Sequence, residues 1–432
     1  MNDSPRNPAT TTEASTTAPP ADKEGEPRSL GREFLHNLWT ANTVTVTFLA
    51  VVLAMVIGGI LIVVASEDLH PLYGYFFSRP TDALTASWDK VSEAYLNLFR
   101  GSILDVAAIE GWINGTGRWH LAFFPIAETL NYATPLVFTG LCVALAFRGG
   151  LFNIGAQGQA VMGMVLAGLA GFALPLPPGL HLLVALLAGA VGGLVWGFIP
   201  GFLKARTGAH EVITTIMLNY VAALFLNWLL LQNGVKDPAR LDPISKVVHS
   251  SAQLPRLLGS DLRVTLGIVL AVLAAWGAAW MLKRSTFGFE LRAVGANPDA
   301  ARTAGMSVGR TTVVVMALAG ALAGLGGSTI VLGAQANALT GPAAGTIGFD
   351  GIMVALLGRA KPWGVVGAAL LFGALRAGGN RMQSYSGIPL ELVTVLQALI
   401  VLFVAAPALV KAIFRLRAAR AARLETSVAK GW

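Results

Sequence analysis

The scarcity of charged residues restricts what this chain can fold into more than any other feature. Charged residues make up 12% of its 432 residues and hydrophobic residues 54%, whereas a soluble globular protein carries about 25% charged residues. A soluble chain of this length would form roughly two or three domains, and 31 basic and 23 acidic residues are too few to cover them. The composition excludes an ordinary soluble enzyme and predicts a protein that contacts lipid.

Apolar runs recur along the chain, and most are long enough to cross a bilayer. The first, 44–65, has no charged residue and corresponds to about 33 Å of helix. The others lie at 126–147, 151–174, 180–203, 211–231, 263–282, 311–334, 348–358, 364–379 and 390–410. Because several are short or broken by glycine, we predict an all-α, polytopic integral membrane helical bundle of about ten spanning helices, within a range of eight to ten, including broken or re-entrant segments.

The remaining segments differ in composition from these runs. Residues 1–43, rich in Thr, Ser, Pro and Ala, are predicted to be a disordered cytoplasmic tail. After the first spanning helix, 66–123 mixes charged and aromatic residues and is predicted to be extracytoplasmic, with amphipathic helix. The core domain is predicted at 124–410, and a basic cytoplasmic tail at 411–432.

The distribution of Lys and Arg predicts the orientation. With ten crossings, twenty of the 31 basic residues fall on one face, in both tails and in the short loops around Arg148, Lys204, Lys361 and 283–310. Cytoplasmic loops carry an excess of these residues, so both termini are predicted to be cytoplasmic. The basic C-terminal end is expected to face anionic lipid, not nucleic acid.

Glycine and amide residues interrupt two of the apolar runs. Residues 151–159 read Leu-Phe-Asn-Ile-Gly-Ala-Gln-Gly-Gln, and Gly348–Gly351 matches the glycine spacing of Gly155–Gly158. Paired glycine-interrupted segments are a sequence sign of a transporter's central path. Elsewhere, glycine at every fourth position from Gly189 to Gly201 predicts close helix packing.

Polar residues inside a membrane are costly and are therefore candidates for function. Each of these candidates either lines a translocation path or holds helices together, and the sequence leaves both roles open. Glu128 and Glu391 lie near helix ends and are interpreted as reaching the membrane interface. The predicted substrate-path residues are Asn153, Gln157, Gln159, Asn219, Gln335 and Asp350.

A short helix is predicted inside the basic segment 284–310. Asn297 is a good N-cap, Pro298 suits the first helical position, Asp299 complements the helix dipole, and Gly305 can end the helix. A plain connector between two spanning helices would not need a helix with defined caps at both ends.

Catalytic and metal-binding arrangements are not expected. The chain has a single cysteine, Cys142, and its six histidines are scattered without helical pairing. Residues 305–309 match a Gly-x-Ser-x-Gly hydrolase pattern, but Ser307 follows a short helix, not a strand. We therefore predict no catalytic residue, no metal and no cofactor.

Four motifs, in order along the chain, resemble the permease subunits of ATP-binding-cassette (ABC) importers, of the nucleoside and simple-sugar group. They lie at 147–159, 210–220, 295–305 and 348–358, and the resemblance covers about 126–410. The chain departs from the family pattern in its long N-terminal tail and at Gln157, where many relatives carry Glu.

The resemblance implies a transport subunit of a bacterial cell membrane, not an enzyme. It implies three protein partners: an ABC ATPase, a second permease that is identical or paralogous, and an extracytoplasmic substrate-binding lipoprotein. No lysine follows a glycine, so the chain lacks a phosphate-binding loop, and ATP and Mg are expected on the ATPase. The residues implied in coupling to that ATPase are Glu290, Arg292, Asn297, Pro298, Asp299, Arg302 and Gly305.

Two other functions remain compatible with the composition. An ion-coupled secondary transporter would need buried carboxylates, and Asp350 is the one convincing candidate in the apolar runs. A membrane-embedded enzyme would need a catalytic constellation, which the sequence does not offer.

Overall fold

The structure is a computed structural model that describes residues 43–414, of which 47–410 form one compact unit. The predicted tails lie outside the described residues, apart from Thr43 and 411–414. The helices, numbered in chain order, are α1 (Thr43–Ala65), α2 (His70–Gly74), α3 (Pro80–Ser102), α4 (Val106–Ile113), α5 (Trp119–Arg148), α6 (Ala156–Ala173), α7 (Leu180–Thr207), α8 (Glu211–Leu229), α9 (Gly267–Arg284), α10 (Thr286–Ala296), α11 (Pro298–Thr303), α12 (Val308–Val331), α13 (Ile347–Leu357), α14 (Pro362–Ser386), α15 (Leu390–Ala405) and α16 (Pro407–Ile413).

The all-α membrane bundle predicted from composition is confirmed. Seven of the described helices are long and apolar enough to cross a membrane, or eight if α15 and α16, bent by 90°, count as one span. Eight is the lower end of the predicted range of eight to ten, and seven lies just below it. The run 348–358 folds as the 11-residue helix α13, about 17 Å long and too short to cross. Helix α14 has sufficient length, but Arg376, Asn380 and Arg381 make it less apolar than the seven.

Helix α12 lies at the centre of the unit and packs against α5, α6 and α7. Helix α5 in turn packs against α13 and α14, and α14 packs against α3. Two buried clusters fill the interior, one along α5, α12, α13 and α14, the other along α6, α7, α8 and α12. The segment predicted to be extracytoplasmic therefore includes a helix, α3, that is built onto the core.

The glycine stripe of α7 faces α12, as the spacing predicted. A side chain at Gly193 would collide with the carbonyl oxygen of Gly320, and one at Gly197 with that of Met316. The opposite stripe of α7 carries exposed Leu and Val side chains, such as Leu187 and Val191. One face of α7 thus allows close backbone approach while the other is apolar and suited to lipid.

The long loop 230–266 is fixed to the segment that follows α12. Ser245 and Val248 donate backbone hydrogen bonds to Leu339 and Asn337, with N···O distances of 3.0 and 2.9 Å. Leu254 makes a third such bond to Leu332. The loop therefore forms a cover over one end of the core.

Candidate translocation path

Residues 149–155 return the chain from the end of α5 into the bundle before α6 begins. Gly150 adopts a left-handed conformation, with φ of +72°, and lies against the backbone of Gly295, where a side chain would be crowded. Asn153 then reaches Cys142, which precedes the end of α5 by about 9 Å of helix rise. Helix α6 therefore begins inside the bundle and not at its edge.

Asn153 and Gln159 form a buried amide pair that fixes this broken segment. The Asn153 Nδ2 donates to Gln159 Oε1 at 3.1 Å, and the Gln159 Nε2 donates back to Asn153 Oδ1 at 3.3 Å. The backbone N–H of Gly155 and the thiol of Cys142 complete the set of partners. Both amide side chains are almost fully buried, so they stabilise the break and do not face a cavity.

Asn219 of α8 holds the same break from another side. Its Oδ1 accepts from the backbone N–H of Gly158 at 2.8 Å, and its Nδ2 donates to the carbonyl of Ile154 at 3.0 Å. Unpaired backbone groups are expensive at membrane depth. Asn219 therefore supplies hydrogen-bond partners for two backbone groups at the break, the Gly158 N–H and the Ile154 carbonyl.

Gln157 connects the first broken segment to the second. Its Nε2 donates to the carbonyl of Gly345, and its Oε1 accepts from the N–H of Gly348, both at 2.8 Å. Gly348 lies against the backbone of Gln157, where any side chain would collide. The two glycine-interrupted stretches, matched in sequence at only four positions, are thus in direct contact. We call Asn153, Gln157, Gln159 and Asn219 the amide core.

Gln335 and Asp350 lie apart from the amide core, in a cavity of about 220 Å³ that we call the inner cavity. Gln335 donates to the carbonyl of Asn131 at 2.9 Å, and Asp350 accepts from the Thr346 hydroxyl at 3.1 Å. The other residues that line it are Tyr132, Pro135, Leu136, Pro342, Ala343, Ala344, Gly345, Thr346, Ile347, Phe372, Arg376, Thr394 and Gln397.

The six sequence-predicted residues therefore divide into two groups. The four amides hold helices together, whereas Gln335 and Asp350 border open space. Sequence reasoning missed Arg376 and Gln397 in the second group. The rule that polar residues inside apolar runs are candidates would have found both, since Gln397 lies within the run 390–410 and Arg376 within 364–379.

The short capped helix predicted in the basic loop is present as α11. The Asn297 Oδ1 accepts from the backbone N–H groups of Asp299 and Ala300, both at 3.0 Å, and Gly305 has a φ of +83°. Asp299 and Arg302 form an ion pair at 3.2 Å, with side chains 90% and 69% exposed. Helix α11 thus presents a defined, charged surface to its surroundings.

Two further residues predicted to act in coupling lie on α10, directly before α11. Arg292 is exposed and its Nε donates to the carbonyl of Gly288 at 3.2 Å, while Glu290 is half-buried. Gly295 packs against the carbonyl of Arg148, and Arg148 donates to the carbonyl of Ala360 at 3.0 Å. The basic loops around these residues therefore gather at one end of the bundle, as the charge distribution predicted.

Comparison with known proteins agrees with this architecture. Residues 126–405 match the family described as "Branched-chain amino acid transport system / permease component". The chain is 43% identical to a guanosine ABC transporter permease of Bacillus subtilis over 284 residues, which cover 65% of this chain and 80% of that protein. It is 38% identical over 289 residues to a nucleoside ABC transporter permease of Lactococcus lactis, with 65% and 79% covered.

A third relative is a glucose ABC transporter permease of Haloferax volcanii, 34% identical over 292 residues, with 65% of this chain and 76% of that protein covered. No solved structure matches the chain. The family match spans more than half of the chain and includes both broken segments, the inner cavity and α11. The chain therefore belongs to this permease family of ABC importers and is a multi-pass membrane transport subunit.

Proposed function

We propose that this permease forms the path by which a nucleoside or simple sugar enters a bacterial cell, with ATP hydrolysed by a separate ATPase subunit. The proposal rests on the presence of two features in one bundle. One is the exposed, capped helix α11, and the other is the contact between two broken helices in the interior. The broken helices open a polar route at membrane depth. Helix α11 offers the surface through which a partner's movement reaches that route.

In the proposed orientation, α11 and both chain termini face the cytoplasm, which requires an even number of crossings such as the eight obtained with α15 and α16 as one span. The basic loops around Arg148, Lys204 and Lys361 lie at the α11 end, in line with the positive-inside rule. The ATPase would dock on α10 and α11 and bind ATP and Mg itself. The loop 230–266, at the opposite end, would face the external substrate-binding lipoprotein.

A second permease subunit follows from polar groups on the surface of the bundle. Thr346, Arg376 and Thr394 border the inner cavity and are exposed. Charged and polar side chains at membrane depth face protein or water, not lipid. A second permease packed over α14 and α15 would close the inner cavity into a path between the two subunits.

The proposed substrate class rests on the relatives and on the neutral polar lining. The relatives are named as permeases for guanosine, nucleosides and glucose. The inner cavity offers amide, hydroxyl and carbonyl groups, with Asp350 accompanied by Arg376. Such a lining suits an uncharged solute rich in hydroxyl groups.

The test is uptake by vesicles that contain this permease, its ATPase and its binding protein. Guanosine or glucose uptake is expected to require ATP and to persist when proton and sodium gradients are collapsed. Uptake that survives without ATP hydrolysis but stops with the ion gradient would overturn the proposal in favour of an ion-coupled transporter that uses Asp350.

A further inference from the structure

A second cavity lies between the beginning of α5 and the end of α14, at the end of the bundle opposite α11. Its volume is about 490 Å³, within the range of roughly 300–1,000 Å³ that is typical of small-molecule sites. We call it the outer chamber. It is lined by Gly101, Asp105, Ala108, Leu121, Phe124, Pro125, Glu128, Tyr132, Arg263, Ala377, Asn380, Arg381, Ser384 and Tyr385. None of the sequence-predicted path residues is among them.

Charged side chains of opposite sign face each other across this chamber. Arg381 pairs with Asp105 at 2.8 Å, and the Nε of Arg263 lies 3.7 Å from Glu128 Oε1. The two pairs come from four different segments of the chain, namely the end of α14, the turn before α4, the loop 230–266 and α5. The lining therefore carries donors and acceptors in fixed positions while its ionic charges balance.

Several of these polar atoms have no hydrogen-bond partner. Glu128 is only 7% exposed and is therefore buried against protein. Among the residues that the structure describes, nothing donates a hydrogen bond to its Oε1, and the same holds for Asp105 Oδ1. The Nε of Arg381 likewise lacks an acceptor within the described range. Buried polar groups in native structures are almost always paired, so these atoms have capacity for a hydrogen bond to a ligand or water, with Glu128 Oε1 also 3.7 Å from the Arg263 Nε.

Aromatic side chains supply a flat surface next to these atoms. Tyr385 is 69% exposed, and the Arg381 guanidinium lies over its ring at 5.0 Å from the centroid. Phe124 is exposed on the facing helix α5. A planar heterocycle gains by stacking on such rings, and its N–H groups and hydroxyls are donors for carboxylate oxygens.

The chamber lies next to the inner cavity. Tyr132 lines both, and Asn380 donates to its hydroxyl at 3.0 Å. A solute that enters from the end opposite α11 would meet the outer chamber first and the inner cavity second. In the proposed orientation this is the order in which an imported solute passes.

From these observations we propose that the outer chamber is the entry site of the permease and binds an uncharged nucleoside. Glu128 and Asp105 accept hydrogen bonds from the hydroxyls and ring N–H groups of the solute, and Tyr385 stacks against its base. This inference rests on the proposed function for its direction of transport, but binding itself needs neither ATP nor a partner.

The direct test is chemical labelling at Ser384→Cys, with guanosine and glucose as probes. Ser384 is exposed and lines the chamber, and Cys142, the single cysteine of the chain, is fully buried. In membranes that contain the full chain, a maleimide should label Ser384→Cys readily. Guanosine at ten times its Kd should slow labelling by about tenfold, because only about one site in eleven is then empty. Glucose should not slow it.

Substitutions of residues that line the outer chamber then test which side chains bind guanosine. Glu128→Gln keeps the side-chain shape but removes the charge. It should raise the Kd for guanosine protection by about tenfold or more, the factor expected for one lost charge-assisted hydrogen bond. Glu391→Gln, an exposed carboxylate on α15 outside the chamber, is the matched control and should leave protection unchanged. If Glu128→Gln does not fold, Tyr385→Ala removes an exposed ring and should weaken protection in its place.

Three results would overturn the inference. They are no labelling at Ser384→Cys, labelling that neither probe slows, and equal protection by glucose, which would assign the chamber to sugars. These results are independent of the test of uptake. ATP-driven uptake without protection of Ser384→Cys by guanosine would contradict the binding site in the outer chamber and leave the proposed function intact. Protection by guanosine together with uptake driven by an ion gradient would contradict the proposed function and leave the binding site intact.

Discussion

Two polar regions lie within the same apolar bundle, and they differ in how completely their groups are paired. In the amide core, the side-chain oxygens and nitrogens of Asn153, Gln157, Gln159 and Asn219 all have protein partners. In the outer chamber, Asp105 Oδ1 and Glu128 Oε1 accept no hydrogen bond within the described residues, although each carboxylate forms an ion pair with an arginine. Burial is similar for Asn219 and Glu128, which are both 7% exposed.

The difference teaches that burial of a polar residue does not by itself mark a transport path. A paired amide at a helix break replaces the backbone hydrogen bonds that the break removes. A buried carboxylate oxygen that accepts no hydrogen bond is compensated less completely for its burial. The pairing of polar groups therefore separates residues that hold the path open from residues that would meet the solute.

The largest effect is expected where the two broken segments touch. Replacing Gly348 by Leu would drive a side chain into the backbone of Gln157 and separate the breaks. Overpacking typically costs about 1–3 kcal/mol and more where the collision is with backbone, as it is here, so little folded protein is expected in the membrane. Gly367→Leu on α14 is the control, because nothing lies within 4 Å of the added atom. Equal yields of both variants in detergent gel filtration would contradict the contact.

Reversal of charge on α11 should abolish uptake without loss of folded protein. Arg302→Glu breaks an exposed ion pair with Asp299 and places like charges beside each other. Exposed pairs contribute less than about 1 kcal/mol to stability, so the yield should be unchanged while ATP-driven uptake and stimulation of the ATPase are lost. Normal uptake by this variant would mean that α11 does not couple the permease to the ATPase. Only the two polar regions would then have an assigned role in transport.

Loss of a paired amide should reduce folding and uptake together. Asn153→Ala removes the oxygen that accepts from the Gln159 Nε2 and from the Gly155 N–H, at a cost of about 1–3 kcal/mol for each unpaired group. The melting temperature and the yield should fall, while uptake per folded molecule stays close to that of the unchanged protein. Asn233→Ala, an exposed amide in the loop 230–266, is the control. A specific loss of uptake at normal yield would show that Asn153 acts in the translocation path, and would contradict the distinction between the amide core and the outer chamber.

The smallest effect is expected at a surface pair, where water competes for both partners. A hydrogen bond from Lys90, at 2.9 Å, holds the pKa of Asp68 below its usual value. The pair therefore stabilises the fold above the ordinary carboxyl pKa and loses that contribution as the pH falls through the lowered value. Asp68→Asn should cost less than about 1 kcal/mol at neutral pH, and its melting temperature should converge with that of the unchanged protein in acid. A difference that persists in acid would mean that the charge is not its source.

Much of the fold followed from local sequence rules. The cap at Asn297, the turn at Gly305 and the glycine stripe of α7 depend on neighbouring residues or on one helical period, and all three are present. The run 348–358 was counted with the spans because an apolar run looks the same whether it crosses a membrane or begins inside a bundle. Length alone would have separated it, since α13 has 11 residues.

The assignment of polar residues could not follow from the sequence in the same way. An amide side chain donates and accepts equally well toward a helix break or toward a solute, and its partner is set by the fold. Asn153 meets Cys142 and Gln159 because 149–155 re-enters the bundle. Glu128 lies near the beginning of the apolar run 126–147, but α5 begins earlier, at Trp119, and Glu128 is buried within the bundle, which the sequence alone does not indicate.

The most direct measurement is the labelling rate of Thr346→Cys, in the inner cavity, within the assembled transporter. Thr346 is exposed and borders both Gly345 and Asp350, so its access reports whether the cavity opens to one side or the other. A membrane-impermeant maleimide added from outside should label it in the absence of nucleotide and should label it much more slowly when ATP is bound. A rate that is the same in both states, while ATP-driven uptake proceeds, would contradict the assignment of this cavity to the translocation path.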